Sequence, residues 1–300
     1  MIRRESVDLP SGIRLDLRSA GPDAAPLLVF LHGFPEAAFV WDALLARFGA
    51  RWHCVAPNLR GFAGSSAPAE VAAYRAKHLV GDIAALIARF GGRAAALVAH
   101  DWGGALAWSL AAQRPDLLER LVILNAPHPA TFLLELRDSP AQQRASAYMN
   151  FLCRPDAEQL LAANDFARLW PFFTNMGGAD WLDAATKERY REVWRAGLTG
   201  GCNYYRASPL RPPTGPDDAI HTLALPPESV TVRVPTTVLW AEDDLALPPQ
   251  LLDGLEAYVP DLHLERVPGA THWIVHERPA WVGDRIEAAL ARPGSVTAGR

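Results

Sequence analysis

Short runs of apolar residues recur along the chain and predict the strands of a sheet. Residues 6–18 alternate apolar and polar positions around a Ser11-Gly12 turn, which predicts a hairpin. Continuous apolar runs follow it, each typical of a strand that is buried on both faces. These runs are Leu27–Leu31, Trp52–Ala56, Ala94–Ala99, Leu121–Leu124 and Thr237–Trp240, with a weaker one at Leu262–Val267.

Helical patterns lie between several of these runs. Apolar residues from Ile83 to Phe90 keep the i, i+3, i+4, i+7 spacing of one helix face, and Leu106, Leu110 and Ala111 do much the same. Buried strands that alternate with helices predict an α/β fold with a mostly parallel, doubly wound sheet.

The alternation stops between about residues 129 and 228. This stretch contains no convincing strand, and it has helix-like segments near 140–152, 156–164 and 183–196. It closes with a proline-rich connection that we expect to be an extended loop. We interpret 129–228 as a helical cap inserted into a core that is formed by 1–128 and 229–300, with a frayed tail from residue 293.

Composition and charge exclude several classes of protein. Half of the 300 residues are hydrophobic and 21% are charged, which is enough for one large core and an insertion. The formal net charge is −4, and no basic stripe predicts a nucleic-acid partner. No apolar stretch approaches the roughly 18 residues of a membrane span, and the first residues lack the apolar block of a signal peptide.

The cysteines indicate a reducing compartment. Cys54, Cys153 and Cys202 lie far apart, and an odd number of cysteines does not build a disulfide framework. Their spacing does not suit a metal site either. We therefore expect a cytoplasmic protein.

The chemistry begins where a buried strand runs into a helix, at His100-Asp101-Trp102-Gly103-Gly104. Small residues at Ala99 and Gly103 permit a sharp turn that pushes Asp101 out over the end of the sheet. This is the pattern of a nucleophile elbow, with aspartate in the place of serine. In the alternative reading, Asp101 only caps the helix. His100 is expected to point into the fold.

Three further sequence segments follow the ends of predicted strands, in the order along the chain that such a site uses. His32-Gly33-Phe34 follows one strand, and the Phe34 amide could pair with the Trp102 amide as an oxyanion hole. Acids follow a late strand at Asp243 and Asp244, and His272 lies on the loop after the last strand. Nucleophile, acid and histidine in this order favour a catalytic site over a helix cap.

These motifs resemble those of the α/β-hydrolase superfamily and, within it, of the soluble-type epoxide hydrolases, over nearly the whole chain. The resemblance rests on residues 32–36, residues 100–104 and the Arg60-Gly61-Phe62 loop. It implies that Asp101 attacks, that His272 activates water, and that Asp244 is the acid, because the apolar Leu245 follows it. It implies no metal and no organic cofactor.

Two tyrosines in the predicted cap extend the resemblance. Epoxide hydrolases carry one tyrosine seven residues before a proline and another that ends an Asn-aromatic-Tyr-Arg string. Here Tyr148 precedes Pro155 by seven residues, and Tyr205 stands in Asn203-Tyr204-Tyr205-Arg206. The resemblance implies that both hydroxyls hold and protonate the epoxide oxygen, although a cap tyrosine is often a packing residue.

Two other functions stay open. Haloalkane and fluoroacetate dehalogenases also use an aspartate nucleophile. In fluoroacetate dehalogenases, however, arginines follow the nucleophile, and Trp102 occupies the first of those positions here. Their cap also has a His-Trp pair at the place of Tyr148-Met149. Haloalkane dehalogenases place a halide-binding asparagine where Phe34 stands, although Trp102 could serve instead. A non-catalytic small-ligand receptor is the second alternative. We expect a small hydrophobic epoxide and water as partners; the epoxide, its stereochemistry and the formation of a homodimer stay open.

Overall fold

A single eight-stranded sheet forms the centre of the protein. The computed structural model describes residues 1–175 and 179–292. The strands are β1 (Arg3–Asp8), β2 (Arg14–Ala20), β3 (Leu27–Leu31), β4 (His53–Pro57), β5 (Ala94–His100), β6 (Leu121–Leu124), β7 (Thr236–Ala241) and β8 (Leu262–Val267). Their order across the sheet is β1-β2-β4-β3-β5-β6-β7-β8.

The strand directions confirm the predicted fold class. β1 and β2 are the predicted hairpin, and β2 joins β4 antiparallel. All the remaining neighbours pair in parallel. Each predicted apolar run lies within one residue of an observed strand. β3 and β6 are buried at every position, whereas the edge strand β8, predicted from a weaker run, is mostly not buried. The carboxyl ends of the parallel strands therefore meet at one edge, where sites of this architecture form.

Helices cover both faces of the sheet. The α-helices of the described residues are α1 (Asp42–Phe48), α2 (Ala76–Arg89), α3 (Asp101–Gln113), α4 (Pro129–Asp138), α5 (Pro140–Ala145), α6 (Ala147–Leu152), α7 (Ala157–Phe166), α8 (Trp170–Thr174), α9 (Ala184–Arg195), α10 (Thr199–Ala207), α11 (Pro227–Val230), α12 (Ile274–Glu277) and α13 (Pro279–Ala291). In β3, Val29 packs with the side chains of α2 and α3. Its neighbour Phe30 packs on the opposite face with those of α1 and α13.

The described part of the segment between β6 and β7 contains the eight helices α4 to α11 and no strand. The predicted helix at 140–152 is two helices, α5 and α6, separated at Ser146. The proline-rich connection is mainly loop, as predicted, but its last residues form the short helix α11. The prediction of a loop was wrong there. Proline suits the first turn of a helix, since the amide it lacks would have no intrahelical acceptor there.

The domain boundaries stay a prediction. α4 begins at Pro129, which agrees with a cap from residue 129, whereas the boundary at 228/229 would fall inside α11. Residues 176–178 of the proposed cap and the predicted frayed tail at 293–300 lie outside the described residues.

Candidate active site

Asp101 occupies a sharp turn between β5 and α3. Its φ of +51° lies in the left-handed region, which is uncommon for residues other than glycine and clusters at functional sites. A Cβ added at Gly103 would lie 2.5 Å from the carbonyl oxygen of Leu31, and one at Gly104 would lie 2.2 Å from the Cβ of Ala126. The turn therefore requires the small residues that follow Asp101.

The loop after β3 meets the Asp101 carboxylate. The Phe34 amide donates a hydrogen bond of 2.8 Å to Oδ1 of Asp101. Gly33 permits this approach, since a Cβ there would lie 2.2 Å from the same oxygen. Trp102 follows Asp101 in the first turn of α3, where helix geometry leaves backbone amides without an intrahelical acceptor. The two residues predicted to form an oxyanion hole thus flank the carboxylate.

His272 lies between the two predicted carboxylates. Its Nδ1 is 2.6 Å from Oδ2 of Asp244, and its Nε2 is 3.8 Å from Oδ2 of Asp101. Asp244 is buried, whereas Asp243 is exposed. The structure therefore brings Asp101, His272 and Asp244 together in the geometry of a triad, and it does not bring Asp243 to the histidine.

Asp244 is held by groups that the sequence did not indicate. Its Oδ1 accepts hydrogen bonds from the amides of Ala246 and Leu247, at 2.9 and 3.0 Å. Its Oδ2 accepts one of 2.8 Å from Nδ2 of Asn125 at the end of β6. Asn125 is itself bonded to the Ala241 backbone through both ends of its amide. The position of Asn125 after a strand was the available signal, because neighbouring parallel strands end side by side.

These neighbours determine the protonation of His272. Burial alone would lower its pKa, but the Asp244 carboxylate raises it, with further contributions from Asp101 and Glu36, to about 9. His272 is therefore protonated at neutral pH.

A second buried cluster lies behind His272. Glu36 is fully buried; its Oε1 is 2.7 Å from Nε2 of His276 and accepts a 2.8 Å hydrogen bond from the Tyr190 hydroxyl. Its Oε2 is 3.3 Å from Nδ1 of His100, and the other ring nitrogen of His100 is 2.8 Å from the His272 carbonyl oxygen. Burial would raise the pKa of Glu36, but the neighbouring His100 and His276 rings lower it, so Glu36 is ionised.

The sequence did not reveal this cluster. His100 is buried, as expected, but its link to Glu36 was missed. Along the chain, Tyr190 lies 154 residues from Glu36, and His276 lies 86 residues from Tyr190. No local sequence pattern joins residues that are so far apart.

The two predicted cap tyrosines face Asp101. Tyr148 on α6 and Tyr205 on α10 have ring centroids 6.0 Å apart, and both line cavities that also contain Asp101. Burial raises the pKa of both hydroxyls, and the Asp101 charge raises them further, so both remain protonated donors. The Tyr204 ring lines the first of these cavities as well, but its hydroxyl donates to the Arg60 carbonyl oxygen at 3.1 Å.

The described residues contain no cluster of histidine, cysteine, aspartate and glutamate side chains arranged to hold a metal ion. Within residues 1–175 and 179–292, no helix combines the length and the apolar character needed to cross a membrane. All three cysteines are free thiols.

Comparisons with known proteins agree with this geometry. The family model described as alpha/beta hydrolase fold matches residues 26–279. The AB hydrolase superfamily protein YfhM of Bacillus subtilis is 36% identical, over 92% of this chain and 94% of its own. Epoxide hydrolase 3 of Xenopus tropicalis is 32% identical, over 93% of this chain and 75% of its own.

Solved structures give the same result. A structure reported under "novel epoxide hydrolases belonging to the alpha/beta hydrolases superfamily in metagenomes from hot environments" is 38% identical, with a TM-score of 0.88 over 98% of this chain and all of its own. The epoxide hydrolase of Bacillus megaterium in complex with an inhibitor is 30% identical, also with a TM-score of 0.88, over 96% of this chain and 100% of its own. The chain therefore belongs to the α/β-hydrolase fold family and, within that family, to the epoxide hydrolases.

Proposed function

We propose that this protein hydrolyses an epoxide to a vicinal diol through a covalent ester on Asp101. One observation carries the proposal: a carboxylate on an elbow turn shares its cavities with two protonated tyrosine hydroxyls. Opening an epoxide requires both a nucleophile and a donor for the oxygen that leaves. The relatives named as epoxide hydrolases support the same reaction.

In the first step, an oxygen of Asp101 attacks one ring carbon and forms the ester bond. The carbon–oxygen bond of the ring breaks, and its electron pair goes to the epoxide oxygen. Tyr148 and Tyr205 donate to this oxygen and one of them gives it a proton. An alkoxide is much more basic than a phenolate, so the transfer remains favourable although the pKa of each tyrosine is raised.

In the second step, His272 removes a proton from a water molecule that attacks the ester carbonyl. Esterification removes the negative charge of Asp101, which is one of the charges that raise the pKa of His272, so a larger fraction of His272 becomes neutral. Asp244 orients the ring and stabilises its charged form.

The oxyanion that forms in this step is held by the Phe34 and Trp102 amides, each worth about 3 kcal/mol. Collapse of the intermediate releases the diol and restores Asp101. The proton that His272 gives up before this step returns to the tyrosine, and the proton that His272 takes from water restores its charged form, so the cycle adds one water to one epoxide.

The test is to trap the ester. With His272→Gln, attack can still occur while hydrolysis loses its base, so 1,2-epoxydodecane should add its own mass to the protein. Peptide mapping should place the adduct on Asp101, and the double variant with Asp101→Asn should not form it. No adduct in a folded His272→Gln protein, or an adduct on another residue, would exclude this mechanism. Halide release from a haloalkane in parallel measures the dehalogenase alternative.

We also propose a domain division, a cellular compartment and partners for the protein. Residues 129–228 act as the cap over a core formed by 1–128 and 229–300, and the substrate is enclosed between them. The three free thiols support a reducing, cytoplasmic compartment. The partners are the epoxide and water, without nucleic acid, and a homodimer is the assembly to test by light scattering.

A further inference from the structure

Gln142 is a buried amide on a helix of the proposed cap. It lies in the first turn of α5, and only 2% of its surface is exposed. Its Nε2 donates to the Ala246 carbonyl oxygen at 3.0 Å and to the Ser146 hydroxyl at 2.7 Å. A carbonyl oxygen only accepts hydrogen bonds, so the amide nitrogen has to face Ala246. Gln142 therefore ties α5 to the loop that follows β7, 104 residues further along the chain.

The bond to Ala246 reaches the peptide group that anchors the predicted catalytic acid. This peptide group joins Ala246 to Leu247, and its N–H donates to Oδ1 of Asp244 at 3.0 Å. The C=O and the N–H of a planar trans peptide point in opposite directions. Gln142 thus fixes one end of the group, and the other end holds Asp244. Rotation of this peptide would break both hydrogen bonds together.

The turn that contains this peptide is restrained from the core on one side only. Asp244 and Leu247 are buried, whereas Leu245 between them is 60% exposed. Asn125, which also holds Asp244, is bonded within the sheet edge and does not touch the Ala246 carbonyl oxygen. Gln142 therefore supplies the restraint from the side of the proposed cap.

The same line of contacts ends at His272. Oδ2 of Asp244 is 2.6 Å from its Nδ1. Asp101 faces the ring, Glu36 contributes from behind it, and the His100 ring lies 4.5 Å away between centroids. Burial lowers the pKa of His272, and among the groups that raise it Asp244 contributes most. Attraction between charges falls with distance, so the place where the Asp244 carboxylate is held decides how basic His272 is.

Given the proposed function, we propose that Gln142 is a positioning residue for hydrolysis of the Asp101 ester. It holds the Ala246–Leu247 peptide, and this peptide holds the Asp244 carboxylate against His272. The proposed cap then acts in the second step of the reaction as well as in the first. Without the bond, the carboxylate is less well placed, and His272 loses both orientation and basicity.

The substitution Gln142→Met tests this inference, and Gln143→Met is the matched control. Methionine keeps the length of the side chain and removes the donor. Gln143 also donates to two carbonyl oxygens, at 3.0 and 3.1 Å, but both belong to the neighbouring helix α4 and not to the loop of Asp244. The two variants therefore remove the same kind of bond at adjacent positions.

The first measurement is an NMR titration of the imidazole ring of His272, with its signals assigned by comparison with His272→Gln. We expect Gln142→Met to lower the pKa of His272 by about half a unit or more, because the Asp244 carboxylate is held less closely. Gln143→Met should leave this pKa at its wild-type value. This measurement needs no substrate.

The second measurement assigns the effect to a step. Enzyme quenched in acid during turnover of 1,2-epoxydodecane is separated by intact mass into its free and esterified forms. Slower ester hydrolysis raises the ratio of esterified to free enzyme, whereas slower epoxide opening lowers it. We expect Gln142→Met to raise this ratio by about tenfold, and Gln143→Met to keep the wild-type ratio.

Each outcome has a separate meaning. An unchanged pKa of His272 or an unchanged ester ratio in folded Gln142→Met overturns the inference and leaves the proposed function intact. A lower ester ratio also overturns it, because Gln142 would then act on epoxide opening through Ser146 and the helix of Tyr148. If neither the wild type nor His272→Gln forms an ester or a diol, the proposed function itself fails. Circular dichroism verifies folding, and Gln142→Leu replaces a methionine variant that does not fold.

Discussion

In the proposed mechanism, Tyr148 and Tyr205 contribute one hydroxyl each to the same substrate atom. Changing either to phenylalanine keeps the ring in place and removes one donor to the oxygen of the opening epoxide. A lost hydrogen bond to a charged group costs about 1.5–3 kcal/mol, hence a roughly 10- to 150-fold slower alkylation of Asp101. Rapid-quench single turnovers, with the ester measured by mass, should show this loss.

The control is Tyr204→Phe, since the Tyr204 hydroxyl bonds to the Arg60 carbonyl oxygen and not to the reacting group. The Tyr148→Phe, Tyr205→Phe double variant should be slower than either single variant, with a non-additive loss because the two donors share one atom. Hydrolysis of an ester that has already formed should keep its rate. Epoxide opening at the wild-type rate in the double variant would make both tyrosines packing residues.

At this scale, the motifs predicted the triad residues but not the contacts that hold them in place. Asp101, Asp244 and His272 follow strand ends in a recognisable order, and the structure brings them together. Asn125 contacts Asp244 directly, and Glu36 is linked to His272 through His100, in each case between distant parts of the chain. Tertiary packing determines which buried polar groups come into contact. The periodicity of apolar residues along the chain does not predict these contacts.

At the scale of elements, helix α9 fastens the segment above the sheet to the loop that carries Phe34. The Tyr190 hydroxyl donates to Glu36 at 2.8 Å, and the Trp194 indole donates to the Pro35 carbonyl oxygen at 2.7 Å. Arg189 forms an ion pair of 2.6 Å with Asp42. These contacts connect the proposed cap to residues that follow Phe34 of the proposed oxyanion hole.

Tyr190→Phe should therefore destabilise the fold. It removes a buried donor to the Glu36 carboxylate and should lower the free energy of unfolding by about 1.5–3 kcal/mol, as measured by urea denaturation. Arg195→Gln, on the same helix, breaks only the exposed ion pair with Glu188 and should cost less than about 1 kcal/mol. Equal effects of the two substitutions would show that the Tyr190 hydrogen bond does not stabilise the docking of α9 on the Glu36 loop.

The elements also show where prediction from sequence ends. The strands were predicted closely because burial on both faces leaves a continuous apolar run. Helix α10 was missed, and its Gly200 and Gly201 argue against a helix on propensity alone. The structure explains them, because a Cβ at Gly200 would lie 2.1 Å from the Gly61 carbonyl oxygen and one at Gly201 would lie 2.7 Å from the Phe34 ring. Contacts with residues that are distant in sequence require glycine at these two positions. The local sequence around α10 gives no sign of those contacts.

At the scale of the whole molecule, the site makes stability depend on pH. The pKa of His272 is about 9 in the folded protein, above its ordinary value of about 6.5, so folding gains from its proton. This gain is fully present below about pH 6.5 and is lost as the pH rises through about 9. The pKa of Glu36 is lowered, so its contribution is present above the ordinary glutamate value and is lost in acid.

Urea denaturation at pH 6.5, 8 and 9.5 tests the alkaline side. The free energy of unfolding of the wild type should fall across this range by up to about 3 kcal/mol more than that of His272→Gln, at 1.36 kcal/mol for each pKa unit. Parallel pH profiles of the two proteins would contradict the raised pKa of His272.

The helical segment between β6 and β7 also matters while the chain is being made. β6 pairs with β7 along Leu121–Leu124, but β7 leaves the ribosome only after the whole inserted segment. At roughly 5–20 residues per second, the roughly 110 intervening residues take on the order of 5–20 seconds. During that interval a fully apolar strand has an open edge, which is a template for pairing with other chains. Slow codons within the insertion would prolong this exposure, whereas slow codons after β7 would not.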